Sequence, residues 1–226
     1  MSVIAAPNTA SLVPSARLED AKRLSEVSKA SQRELTTEHD PIVRSVLIAH
    51  AAGLLRERIT PAIMNDFRQL MNTPLGFRTD RQNGKGEPYS DVVIKDCMIQ
   101  ALLRGLRPTG NEFNIIAGNM YITKEGYRRL LKELPGLTNL RVDIGTPKAH
   151  GEGAIVPCKA SWMIDGQPQE MDCTGEFAIA VKGTGADLIH GKAESKILRR
   201  VFMRIVGSDL ATPDEDEPIT GEVVKS

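Results

Sequence analysis

The sequence predicts an α+β fold in which N-terminal helices precede a ββαβββα core, a small antiparallel sheet backed by helices. Two observations carry this. Apolar residues recur at helical spacing from Leu18 to Leu102, and from Phe113 onward the period shortens to that of strands. In that second part, Gly118-Asn119, Pro135-Gly136 and Asp165-Gly166 supply turn chemistry between the apolar runs.

Residues 1–16 are rich in Ala, Ser and Pro and have no period, so they read as a disordered leader. Residues 17–39 read as a helix or a linker, with Leu18, Leu24, Val27 and Leu35 among alternating charges. Asp40-Pro41 then starts a helix, an acidic cap followed by Pro in the first turn, with Ile42, Val46, Leu47, Ala49, Leu54 and Leu55 as its apolar residues. Thr60-Pro61 starts another by the same logic, carrying Ile63, Met64, Phe67, Leu70 and Met71. Residues 72–90 hold Thr73-Pro74, Gly76, Asn83-Gly84, Gly86 and Pro88, the chemistry of a long loop. Ser90 caps a third helix over 92–106, stopped by Pro108 and Gly110.

The core begins with a hairpin, strands around Phe113 and Tyr121 flanking Gly118-Asn119. Thr123 caps a helix to Leu134, with Tyr127, Leu130, Leu131 and Leu134 at helical spacing. Strands are expected over 139–145, 154–164 and 167–180, the last two joined by Asp165-Gly166, a type I′ turn dipeptide. A long helix over 186–206 closes a domain of residues 40–210, and the acidic, Pro-containing stretch 211–226 reads as a disordered tail.

Composition bounds the function classes. At 41% hydrophobic and 26% charged, the chain is an ordinary globular protein, not one disordered throughout. With 29 basic and 29 acidic residues the average announces no polyanion partner, so any such signal lies in the distribution. Cys97, Cys158 and Cys173 form no CxxC pair and are odd in number, which points to a reducing compartment and a cytoplasmic protein. No apolar run approaches the roughly 20 residues of a membrane span, and the N-terminus lacks a basic region ahead of an apolar one. Neither secretion nor membrane insertion is expected.

The most informative segment is 190–206. Ile197, Leu198, Val201, Phe202, Ile205 and Val206 make its apolar face, while Lys192, Lys196, Arg199, Arg200 and Arg204 occupy the rest, with Glu194 as the sole acid. Such a stripe suits a phosphate backbone, because each cation that meets a phosphate releases a condensed counterion and adds sequence-independent affinity. The bland alternative is a solvated face, but soluble helices normally mix signs. Lys124, Arg128, Arg129 and Lys132 form a smaller patch, tempered by Glu125 and Glu133, and Arg104 and Arg107 equally suit a helix C-terminus. Tyr121 is a candidate for stacking single-stranded bases; Phe113, Tyr127 and Trp162 read more readily as core.

Catalytic and cofactor patterns fail on spacing. In the stretch 183–192, five residues separate Gly185 from Gly191 instead of the four of a phosphate loop, and Ala193 stands where a magnesium-binding Ser or Thr belongs. His39, His50, His150 and His190 are scattered and none lies near a cysteine pair, so no metal is expected. Asp143, Asp172 and Glu176 could be imagined as ligands of a metal-dependent nuclease, without the short acid-x-Lys spacing that would make the reading specific. A third alternative is a phage structural or assembly protein that binds no nucleic acid.

Over about residues 90–207 the chain resembles the phage single-strand annealing proteins of the RecT/Red-beta/Erf superfamily. The likeness rests on Gly105-Leu-Arg-Pro108 leading to a hairpin, on Tyr121-Ile-Thr-Lys-Glu-Gly-Tyr127 opening a helix, on the strand meander, and on the last helix with Lys196 and Arg199-Arg200. It departs from the RecT pattern in lacking the Trp and Met just before the basic residues of that helix. The resemblance implies a positively charged groove on a small sheet backed by helices, ATP-independent annealing of single-stranded DNA, no cofactor and no reaction at a covalent bond. It further implies homo-oligomeric rings or filaments, and a phage exonuclease or host single-strand-binding protein as partner. The residues carried over are Lys192, Lys196, Arg199 and Arg200, followed by Tyr121, Lys124, Arg128 and Arg129.

Overall fold

A computed structural model describes residues 14–81, 86–150, 153–174, 178–180 and 186–207. The acidic tail, most of the leader and the Gly183–Gly185 part of the failed phosphate loop fall outside them. The chain divides into two compact units, one of residues 1–69 and 90–105, the other of residues 70–89 and 106–226.

The first unit is helical, and three of its described helices start where the caps predict. Helix α1 (Ser15–Thr37) is a single helix across the stretch read as helix or linker. Helix α2 (Pro41–Arg58) opens with the Asp40 carboxylate accepting from the backbone N–H groups of Ile42 and Val43, two donors the first turn otherwise leaves orphaned. Helix α3 (Pro61–Leu70) follows Thr60, and helix α4 (Asp91–Leu103) is capped by the Ser90 hydroxyl. Leu24 and Leu35 of α1, Leu55 of α2, and Ile94, Cys97 and Met98 of α4 are buried. The C-terminal end of α4 is tied to α1, because Ser28 Oγ and Gln32 Nε2 both donate to the Leu102 carbonyl, at 3.1 and 2.8 Å. The same carbonyl also accepts from the Gly105 N–H, at 3.1 Å.

The second unit holds all the described strands. Strand β1 (Arg78–Thr79) lies inside the stretch expected to be loop, pairing in parallel with β2 (Phe113–Ile116). Two residues of pairing carry no alternation, so β1 leaves no trace in the pattern. Strand β3 (Asn119–Ile122) closes the hairpin on β2 with Ile116 opposite Asn119. The turn is therefore Ala117-Gly118, with φ of 50° and 78°, one residue earlier than the dipeptide pattern suggests. Phe77 stacks on Phe113 beneath it, ring centroids 5.1 Å apart. Helix α5 (Lys124–Lys132) is capped as expected by Thr123, whose hydroxyl accepts from the Gly126 N–H. Gly126 is needed for close approach: a Cβ there would lie 2.2 Å from the Glu112 carbonyl oxygen.

The meander splits in two. Strands β4 (Leu137–Ile144), β7 (Cys158–Ile164) and β8 (Gln167–Asp172) form one antiparallel sheet in the order β4-β7-β8, and β5 (Lys148–His150), β6 (Gly153–Ile155) and β9 (Ala178–Ala180) form another in the order β5-β6-β9. The strands expected over 154–164 and 167–180 thus each contribute to both sheets, whereas the one over 139–145 contributes to the first alone. Pro157 is the reason for the first break: it offers no N–H to a ladder, and the chain leaves one sheet before it and joins the other after it. The Asp165-Gly166 turn joins β7 to β8 as predicted, both residues at positive φ, 49° and 77°. Helix α6 (Ala186–Val206) has the predicted bounds and packs on β4, β7 and α5, so the sheet is helix-backed.

Candidate nucleic-acid interface

Helix α6 has one covered side because Ile189, Ala193, Ile197, Leu198, Val201 and Phe202 recur at helical spacing, and all six are buried. Each full burial of an Ile, Leu, Val or Phe contributes about 1.5–3 kcal/mol, so the helix is held against the unit by its apolar residues. Lys192, Lys196, Arg199 and Met203 stand at i, i+4, i+7 and i+11, which places them on one side of the helix, with Arg200 and Arg204 next to it. Arg204 is exposed, while Lys192, Lys196, Arg199 and Arg200 are partly covered.

Glu194, the sole acid between His190 and Val206, is turned onto α5. It accepts from Arg128 Nε at 2.9 Å and lies 3.8 Å from Lys124 Nζ, with its side chain only 21% exposed. Arg128 also donates to Glu125. The one acid between His190 and Val206 is thus paired from the neighbouring helix.

The α5 cations meet a different fate. Arg129 makes a fork with buried Glu112, Nε to Oε1 at 2.6 Å and Nη2 to Oε2 at 2.8 Å, and also reaches Glu133 at 2.7 Å. Burial pulls the Arg129 pKa down, and the carboxylates of Glu112 and Glu133 more than reverse this, holding it above its ordinary value. Glu112 Oε2 further accepts from the Arg107 N–H at 2.8 Å, and the Arg107 guanidinium pairs with Glu133 at 2.7 Å. Arg129 is thus a buried ion-pair member, while Arg128 and Lys124 share Glu194 at the edge of α6.

Tyr121 is 3% exposed, which corrects its expected place as a stacking surface. Strand β3 is buried at three consecutive residues, so both its faces are covered and alternation leaves no side chain outward. Phe113, Tyr127 and Trp162 are core, as read from the sequence, with the Tyr127 ring 5.7 Å from that of Phe202.

Where α6 passes the end of β8 there is an open cleft of about 340 Å³ lined by Arg200, Met203 and Arg204 on one side and Met171, Asp172 and Cys173 on the other. Arg200 Nη1 donates to Cys173 Sγ at 3.6 Å. Asp172 is already engaged: Lys159 Nζ lies 2.7 Å from it and the Thr174 N–H donates at 2.8 Å. The Lys159 ammonium, foremost, holds the Asp172 carboxyl well below the usual carboxylate range. An anion in the cleft would meet two guanidinium groups and a carboxylate whose charge is already balanced.

No family model, curated protein or solved structure matches the chain. The site therefore stands on its geometry. Sequence reasoning missed the cleft, since nothing local marks Met171 and Met203 as neighbours, and it counted Glu194 without finding its partners. Of the carboxylates in the nuclease alternative, Asp143 and Asp172 lie on the two outer strands in one row with Lys159 between them. Glu176 lies outside the described residues. Among the described residues no three His, Cys, Asp or Glu side chains gather as a metal site, and no helix is long and apolar enough to cross a membrane.

Proposed function

We propose that this chain binds single-stranded DNA along α6 and anneals complementary strands without hydrolysing a nucleotide, as the RecT/Red-beta/Erf-type proteins it resembles do. The observation that carries the reading is the α6 stripe: Lys192, Lys196, Arg199, Arg200 and Arg204 on one helix, with Glu194, the sole acid between His190 and Val206, paired to Arg128 of α5. Cations so arranged capture a phosphate backbone by counterion release, independent of sequence. Met171 and Met203 in the adjoining cleft offer apolar contact to base faces while Arg200 and Arg204 hold phosphates.

In this reading the strand is held by its backbone with bases accessible, a second strand pairs with it, and several copies of the chain together cover a useful length of DNA. A phage exonuclease that generates the single strand, or a host single-strand-binding protein that occupies it, is the partner the reading calls for. The compartment is the cytoplasm, where free thiols such as Cys97, Cys158 and Cys173 persist.

Mixing two complementary oligonucleotides with and without the protein, in the absence of ATP, tests the proposal. Accelerated duplex formation supports it. A strict need for ATP hydrolysis, or divalent-dependent loss of intact DNA, returns the chain to the motor or nuclease class; absence of binding at low salt leaves the structural-protein alternative.

A further inference from the structure

Helix α2 has two sides of opposite character. Ala51 and Leu55 are buried on the side that faces the helical unit. Opposite them, Ile42, Val46, Ala49 and Gly53 recur at spacings of 4, 3 and 4, the seam of a heptad pattern, and all are exposed, Ile42 by 76% and Val46 by 64%. Gly53 has open space around it, with nothing within 4 Å of the position a Cβ would take. From Ser45 to Leu55 the only ionisable side chain is His50. Such a stripe in water calls for a cover.

We propose that the cover is α2 of a second copy, packed antiparallel across a twofold axis near the middle of the seam. A twofold contact must be self-complementary, and this seam is so in one register only: Ile42 opposite Gly53, and Val46 opposite Ala49. Each large exposed side chain then meets a small one, so the knobs of one helix fill the holes of the other.

Charge selects the direction. Glu38 and Asp40 precede the first turn of α2, which holds Arg44, and the last turn holds Arg56, which pairs with Asp96, together with Glu57 and Arg58, so the start is the more acidic end and the last turn the more basic. Antiparallel pairing brings the acidic end of one copy to the basic end of the other and opposes the helix dipoles; parallel pairing sets like ends together. This surface belongs to the helical unit, and it stands or falls independently of DNA binding through α6.

Sedimentation of the full-length protein, without DNA, measures the association directly. The parent should dimerise, and Ala49→Arg, which places a charge at an exposed site in the seam, should raise the dissociation constant about a hundredfold while the circular dichroism of the fold stays unchanged. Cysteine cross-linking tests the register, the three native thiols being buried. A mixture of Ile42→Cys and Gly53→Cys chains should cross-link, whereas Ile42→Cys alone should not, since its two copies would sit about 16 Å apart along the antiparallel axis. A parent that stays monomeric, association unchanged by Ala49→Arg, or cross-linking of Ile42→Cys with itself would overturn the proposal. Binding of the parent to phosphatidylcholine vesicles that Ala49→Arg abolishes, with no self-association, would overturn it in favour of a lipid surface.

Discussion

Arg128 of α5 donates through Nε to the Glu194 carboxylate of α6 at 2.9 Å, so the acid that would offset the α6 stripe is spent in tying two helices together. Substituting Glu194 by Gln removes its charge and keeps its shape. On the proposed reading, affinity for single-stranded DNA at low salt should rise several-fold, because Arg128 and Lys124 then add to the positive field, and the gain should fade as salt screens it. Stability should drop by roughly 1 kcal/mol or less, the range for a partly exposed pair. Weaker binding in the folded variant would mean that Glu194 positions the interface instead of masking it.

The α6 cations themselves are tested by Lys196→Ala, Arg199→Ala and Arg200→Ala together. Affinity should fall alike for every DNA sequence, and the slope of log K against log salt should flatten by about 2, near 0.7 for each lost phosphate contact on a single strand. Arg141→Ala, on an exposed position of β4, serves as the control and should leave both quantities unchanged. Titrations by fluorescence anisotropy at several salt concentrations measure this. An unchanged salt slope in the folded triple variant would make the stripe ordinary surface.

The Glu112–Arg129 fork is a structural pair, its side chains 6% and 15% exposed. Glu112→Ala leaves Arg129 only the half-exposed Glu133 and takes the acceptor from the Arg107 N–H, so it should cost about 3 kcal/mol in urea unfolding. Replacing both by residues of matching size should cost less than either single change adds up to, because no lone charge remains. Equal, additive losses would show that the two side chains do not depend on each other.

How much of this was legible in the sequence follows from what each feature depends on. The Asp40, Ser90 and Thr123 caps and the Asp165-Gly166 turn are local hydrogen-bond and φ choices, so the residues declare them. The bounds of α6 are legible for the same reason, as is the clustering of its cations. The split of the meander at Pro157 was written in the sequence, yet a strand that changes sheets keeps its alternation across the break, which hides the change. The fates of Arg128, Arg129 and Tyr121 were not legible: Glu112 lies 17 residues from Arg129 and Glu194 lies 66 from Arg128, separations that only tertiary structure closes. A basic residue in a pattern does not say whether an acid elsewhere will claim it.

A last prediction concerns Asp80 and Tyr89, which hydrogen-bond to the hairpin turn. Tyr89 donates its hydroxyl to Asp80 Oδ1 at 2.7 Å, the Ala117 N–H donates to Asp80 Oδ2 at 3.1 Å, and the Gly118 N–H donates to the Tyr89 oxygen at 2.9 Å. The two residues thus pin the Ala117-Gly118 turn, and Arg81 lies over the Tyr89 ring at 5.4 Å. Burial raises the Asp80 pKa, but the Tyr89 hydroxyl, the Ala117 amide and Arg81 outweigh it and hold the carboxyl below its ordinary 3.8. A carboxyl whose folded pKa is depressed stabilises the fold above its unfolded value, and that contribution is lost as pH falls through the folded one. Tyr89 is shifted the other way: burial, then the Asp80 carboxylate, raises it above its ordinary 10.0, so its contribution is complete below that value and disappears as pH rises through the folded one. Asp80→Asn should therefore cost about 1 kcal/mol or less at neutral pH, an amount set by exposed, charge-assisted hydrogen bonds, and nothing at pH well below 3.8. Urea unfolding of parent and variant across acid pH measures the difference, and hydrogen exchange at Ala117 locates it. A gap that persisted undiminished in strong acid would show that the Asp80 charge has no part in holding the turn.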